Sequence, residues 1–185
     1  MKSAWTSATL MKRLAFAILC EALALVAAQA AVTTGNLPVT AKVVQKCLIN
    51  VSPPSFGTYD PVVRNASVGA TGTGIVEVTC TAGSAGVTIA LDQGTNASGG
   101  SRRLKNGTDY LAYEIYQPSS NSPNAACTFP GTTVWGTTGG QLFTPTGATW
   151  GASSPQDFNV CGNIPGGQNV PPGAYTDTIV TTVNF

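Results

Sequence analysis

The chain has 185 residues, no histidine, and charge on only 9% of its positions. The first absence removes the commonest general base and a frequent zinc ligand. The second leaves no basic stripe, so nucleic acid is not an expected partner. No two cysteines stand in C-x2-C spacing, which argues against a structural zinc site. No glycine-rich phosphate loop leads into a helix, and no free thiol has a base to activate it. Catalytic, cofactor-binding and metal-binding residues are therefore not expected. After residue 30 no segment carries a convincing 3.6-residue apolar period, which leaves strands as the building material.

What is present begins with a processing pattern. Lys12 and Arg13 precede a mostly apolar stretch from Leu14 to Ala28, and Ala28-Gln29-Ala30 has the A-x-A form of a cleavage site. The stretch is shorter than the ~20 apolar residues of a membrane span and is interrupted by Glu21. Residues 1–30 read as a secretory signal peptide cleaved after Ala30, with Met11 as an alternative start. Lys2, Lys12, Arg13 and Glu21 leave with it, so nine bases and eight acids become six and seven, a net charge of −1. The remainder is about one domain in size.

Cys47, Cys80, Cys127 and Cys161 follow the cleavage site. An even number in a secreted chain argues for disulfides. Four cysteines allow three pairings, and spacing does not choose among them.

Strand signals recur between turn clusters. Leu37, Val39, Ala41 and Val43 share one parity until Val43-Val44 breaks the phase. Val76, Val78 and Cys80 alternate with Glu77 and Thr79, and Val87, Ile89 and Leu91 with Thr88 and Ala90. Leu111, Tyr113 and Ile115 form a further set; short strands are expected near 132–135 and 157–164. Gly/Ser/Asn/Pro clusters separate them, at the spacing of an antiparallel sandwich of immunoglobulin-like type. Residues 175–185 alternate again, with Tyr175, Ile179, Val183 and Phe185 on one face. No strand follows, so the sandwich is expected to lack its closing strand. A spare alternating segment stands just after residue 30.

Several stretches resemble the spore coat protein U domain family, which includes subunits of archaic, Csu-type chaperone–usher pili. They are Phe56-Gly57-Thr58-Tyr59-Asp60-Pro61 and Gly72-Thr73-Gly74 running into Val76-Glu77-Val78-Thr79-Cys80. Arg103-Leu104-Lys105-Asn106-Gly107, Asp109-Tyr110-Leu111-Ala112-Tyr113 and Thr133-Val134-Trp135-Gly136 follow in order. The last are Gly162-Asn163-Ile164-Pro165-Gly166-Gly167-Gln168 and Val170 to Asp177. The resemblance implies an incomplete immunoglobulin-like antiparallel β-sandwich lacking its last strand. It implies a bridge between Cys47 and Cys80, which leaves Cys127 and Cys161 as the second pair. It also implies export through the periplasm to a cell-surface pilus, with a periplasmic chaperone, an outer-membrane usher and neighbouring copies of the subunit as partners.

On this reading residues 31–42 are a donor-strand extension and residues 43–185 the pilin domain. Val32, Leu37, Val39 and Ala41 would be the donor side chains, with Val43 at the start of the subunit's own first strand. Ile179, Val183 and Phe185 would line the acceptor groove. The expected function is a structural pilus subunit that polymerises by donor-strand exchange and supports attachment and biofilm formation. The alternatives are a secreted coat or matrix protein, or a carbohydrate-binding adhesin module.

Blander readings apply elsewhere. The cluster Arg102-Arg103-Lys105 beside Asn106-Gly107 reads as a solvated loop. Tyr110, Tyr113 and Tyr116 split by parity, so packing is favoured over a sugar-stacking patch. Trp135 and Trp150 read as packing residues, and Asp60 and Asp177 as turn carboxylates bonded to backbone.

Overall fold

In the computed structural model residues 30–185 are described. The expected signal peptide lies, apart from Ala30, outside the described residues. Residues 30–41 form one unit, without regular secondary structure and exposed throughout. The second unit, 42–185, is all-β.

Its strands are β1 (Cys47–Ser52), β2 (Ala70–Cys80), β3 (Thr88–Leu91), β4 (Arg102–Asn106), β5 (Asp109–Tyr116), β6 (Gln156–Ile164) and β7 (Thr181–Asn184). Two antiparallel sheets result, one in the order β1-β2-β6-β5-β4 and the other β3-β7. The period of two decides what each strand buries. Along β2 every even residue from Ala70 to Cys80 is buried. On β5 Leu111, Tyr113 and Ile115 turn inward. Trp135 stacks on Phe143 at 4.6 Å, and Phe143 meets Phe158 edge-on at 5.3 Å. The Trp135 indole N–H, which needs a partner once buried, donates to the Ile89 carbonyl at 2.9 Å.

Glycine shapes one corner of the core. Gly72 and Gly74 are inward-facing positions of β2 without side chains. Ser52 to Phe56 use that space to pass from the end of β1 over the inner face. A methyl group at Gly72 would lie 2.5 Å from the Ser55 carbonyl oxygen, and one at Gly74 2.5 Å from that of Ser52. Phe56 ends the crossing against Gly162 and meets Tyr113 edge-on at 6.2 Å.

Disulfides join Cys47 to Cys80 and Cys127 to Cys161. The first ties the start of β1 to the end of β2; the second ties a loop to β6.

The structure corrects several sequence expectations. Residues 102–106 are a strand, and Arg102 is 2% exposed. Its guanidinium pairs with Glu114 and donates to the carbonyls of Leu91, Asp92 and Trp135. A buried charge survives only when paired and fully bonded, and here the side chain acts as a core bolt rather than a solvated cation. Residues 37–43, read as part of the donor extension and its junction, carry no regular secondary structure of their own, which leaves that reading open. Residues 132–135 make only a bridge, Tyr116 to Val134. The terminal segment alternates in burial from Tyr175 to Val183, but ladder pairing covers only Thr181–Asn184.

Candidate functional site

The site is a strand position with edges on both sides. In an antiparallel ladder, main-chain polar groups point alternately to the two neighbours. On the terminal segment the even residues bond towards β3 and β4. Thr176 exchanges both bonds with Lys105, Thr178 accepts from Thr95, and Val180 accepts from Asp92. Asp177, Ile179, Thr181 and Val183 therefore turn their N–H and C=O groups the other way, where no described strand pairs with them. On β1 the phase is set by Lys46, whose carbonyl accepts from Thr81. Cys47, Ile49 and Val51 then present their main-chain groups to the free side of β1, which among the described strands pairs only with β2.

Side-chain burial marks the same gap. Ile49 stands opposite Val78 and Val51 opposite Val76, so they share the core-facing side of the sheet. Val78 and Val76 are buried, yet Ile49 is 42% and Val51 52% exposed. Such exposure of inner-face aliphatic residues fits an edge strand that lacks a lateral neighbour. A cleft of about 170 Å³ opens here, with Val51 to Pro54 on one lip and Asp177, Ile179 and Thr181 on the other. Val76, Leu91, Ile115 and Val160 form its apolar floor. It continues past Phe56 and Leu104 into a wider cleft bordered by residues 169–177.

Asp177 is the charged residue in this lining. Its carboxylate accepts from the Thr95 hydroxyl, from the Asn96 main-chain and side-chain N–H groups, and from the Tyr113 hydroxyl at 2.8 Å. Burial pushes the Tyr113 phenol above its ordinary value, and the bond to Asp177 adds to the shift. Asp60, at a loop near the wider cleft, caps the N–H groups of Val62 and Val63. Those bonds, Val63 first, hold its carboxyl below the usual range.

The structure places Ile179 and Val183 against the core and leaves Phe185 55% exposed. Within residues 30–41, Val32, Leu37 and Val39 are 83%, 86% and 87% exposed, and Ala41 is exposed too. Val43 is 83% exposed. Sequence reasoning missed the β1 lip, although Cys47, Ile49 and Val51 share one parity against Leu48, Asn50 and Ser52. It also missed Tyr113 with Asp177, which are 64 residues apart in the chain. Among the described residues no group of His, Cys, Asp or Glu could hold a metal ion, and no helix is long and apolar enough to cross a membrane.

Two antiparallel sheets with an unoccupied strand position define an incomplete immunoglobulin-like domain. The family model of the Spore Coat Protein U domain matches residues 33–182, and the chain belongs to that family. It is 39% identical over 173 residues to Protein U of Myxococcus xanthus, covering 85% of this chain and 88% of that one. It also aligns with a solved structure, the CsuC–CsuE chaperone–tip adhesion subunit pre-assembly complex from archaic chaperone–usher Csu pili of Acinetobacter baumannii. That alignment has a TM-score of 0.49 and 20% identity, and covers 77% of this chain but only 40% of that one.

Proposed function

We propose that the protein is a secreted structural subunit that polymerises by donor-strand exchange. The observation that carries the reading is the pair of unpaired edges, β1 and residues 177–183, with core-facing Ile49 and Val51 left wet between them. An added strand would supply main-chain bonds to both edges and apolar side chains to the cleft, the strand-addition mode of recognition. The occupant is the extension of a second copy, residues 31–42, where Val32, Leu37 and Val39 stand exposed with a period of two for the last pair. Before assembly a periplasmic chaperone fills the position, and an outer-membrane usher exports the subunit to a cell-surface fibre that serves attachment and biofilm formation. Cleavage after Ala30 frees the extension. Membership of the family supports this pathway as well.

Two variants test the proposal. A chain lacking residues 31–42 is expected to fold and bind chaperone yet add no further subunit; polymerisation of that truncated chain would remove the donor assignment. Ile49→Asp is expected to abolish chaperone capture while lowering monomer stability by no more than about 1 kcal/mol, because the site is solvent-facing until filled. Undiminished capture would show that β1 is not a lip of the acceptor.

A coat or matrix protein that never forms a fibre is the second reading, favoured by the family's description. Electron microscopy of cells with and without the gene separates the two, since only the first predicts filaments.

A further inference from the structure

Resting on the polymerisation reading, we propose that Asp177 sets the register of the incoming strand: Ala41 of one copy sits against Asp177 of the next, Val39 against Ile179 and Leu37 against Thr181.

One charged residue lines the cleft, and it stands at one end of the terminal lip. There the Asp177 carboxylate is already held by Thr95, Asn96 and the Tyr113 hydroxyl, and Tyr113 is itself fixed in the core. A carboxylate so engaged needs no bond from the donor. It does resist a bulky aliphatic neighbour, which would strip its remaining water and return no hydrogen bond. Among Leu37, Val39 and Ala41, the alternating set nearest the domain, Ala41 is the smallest and meets that restriction.

The donor runs antiparallel to the terminal edge and therefore parallel to β1, which runs opposite to that edge. The better bonded pairing then falls on the edge that carries Asp177 and fixes the rest. Donor numbers fall as groove numbers rise. Val39 reaches Ile179 and Leu37 reaches Thr181, which with Asp177 form the terminal lip of the 170 Å³ cleft. The largest donor side chain thus meets the small one on the acceptor, as interdigitated layers require. A slip of two residues one way puts Val43 on the carboxylate and the small Ala41 in the cleft. A slip the other way puts Val39 on the carboxylate and Gly35 at Thr181, leaving that end unfilled. In the proposed register the odd donor residues bond to the terminal edge. Pro38, which has no N–H, turns its missing donor towards β1 instead.

Cysteine pairs read the register directly. Residues directly opposite in a hydrogen-bonded antiparallel pair have Cα atoms about 5.5 Å apart, within disulfide reach. The domain's own four cysteines are already paired. In the full chain, Val39→Cys with Ile179→Cys and, separately, Leu37→Cys with Thr181→Cys are expected to give ladders of covalently linked subunits on non-reducing gels. Val39→Cys with Thr181→Cys or with Asp177→Cys is expected to give none. Both expected ladders are needed, because only the antiparallel direction satisfies both pairs. Ala41→Leu is expected to slow incorporation by at least about tenfold, whereas Thr40→Leu, on the opposite face, changes it by no more than about twofold. Fibres that form without the two expected ladders, or with a ladder from a slipped pair, overturn the register alone. A wild-type chain that forms no fibre overturns the polymerisation reading beneath it.

Discussion

At the residue scale, two polar side chains do what sequence pattern assigns to apolar ones. Arg102 fills a core position of β4 and links β3, β5 and the Trp135 loop through one guanidinium. Removing one partner of a buried pair strands the other and costs about 3–5 kcal/mol. Arg102→Ala is expected to lose at least that much in urea unfolding, since cavity and lost bonds act together. A small loss would mean that Glu114 and the three carbonyls find water instead. Tyr113 makes a pH prediction. Its folded-state value is raised, so its contribution is complete below the unfolded value of about 10 and is lost as pH climbs past it towards the folded value. Tyr113→Phe should cost about 1–2 kcal/mol at neutral pH, by leaving Asp177 short of one donor. It should also flatten the loss of stability above about pH 10. Unfolding curves at neutral and alkaline pH check both halves.

At the element scale, the legible strands were those whose inner face is aliphatic. Val76, Val78 and Cys80 announced β2, and Leu111, Tyr113 and Ile115 announced β5, because alternation and burial coincide there. β4 was illegible because Arg102 occupies the inward position of a segment that reads Arg-Arg-Leu-Lys-Asn. Residues 37–43 alternate as well, yet no strand of the described chain pairs with them, as a segment meant for another copy would require. The lip at Ile49 and Val51 was readable from parity alone, whereas its exposure was not, since exposure depends on which neighbour is absent. The crossing of Ser52 to Phe56 over Gly72 and Gly74 could not be derived from a Gly-Thr-Gly run, which reads as a turn. It yields a sharp prediction. Gly74→Val would drive a side chain into the Ser52 carbonyl and Pro54, and is expected to destabilise by at least about 2 kcal/mol. It should also disturb the cleft lip at Val51 to Pro54. A neutral outcome by thermal unfolding would place the crossing elsewhere.

At the scale of the whole molecule, charge is nearly silent. With six bases against seven acids after residue 30, long-range steering has little to act on. Assembly rates are expected to change by less than about threefold between low and high salt, measured by light scattering of purified subunits. A steep salt dependence would point to a charged docking surface away from the cleft. The disulfides close loops of similar span, with separations of 33 and 34 residues. Each contributes up to ~3–4 kcal/mol in the chain-entropy account. The first holds β1 beside β2 while no described strand pairs with the other side of β1. That open side has a consequence in time rather than in space. Collision between two unprotected copies is second order, so the lifetime of a naked subunit shortens as its own concentration rises. On the proposed reading, a cell that makes this chain faster than it can shield it loses yield disproportionately, and the ratio of chaperone to subunit, not the strength of either fold, sets the output.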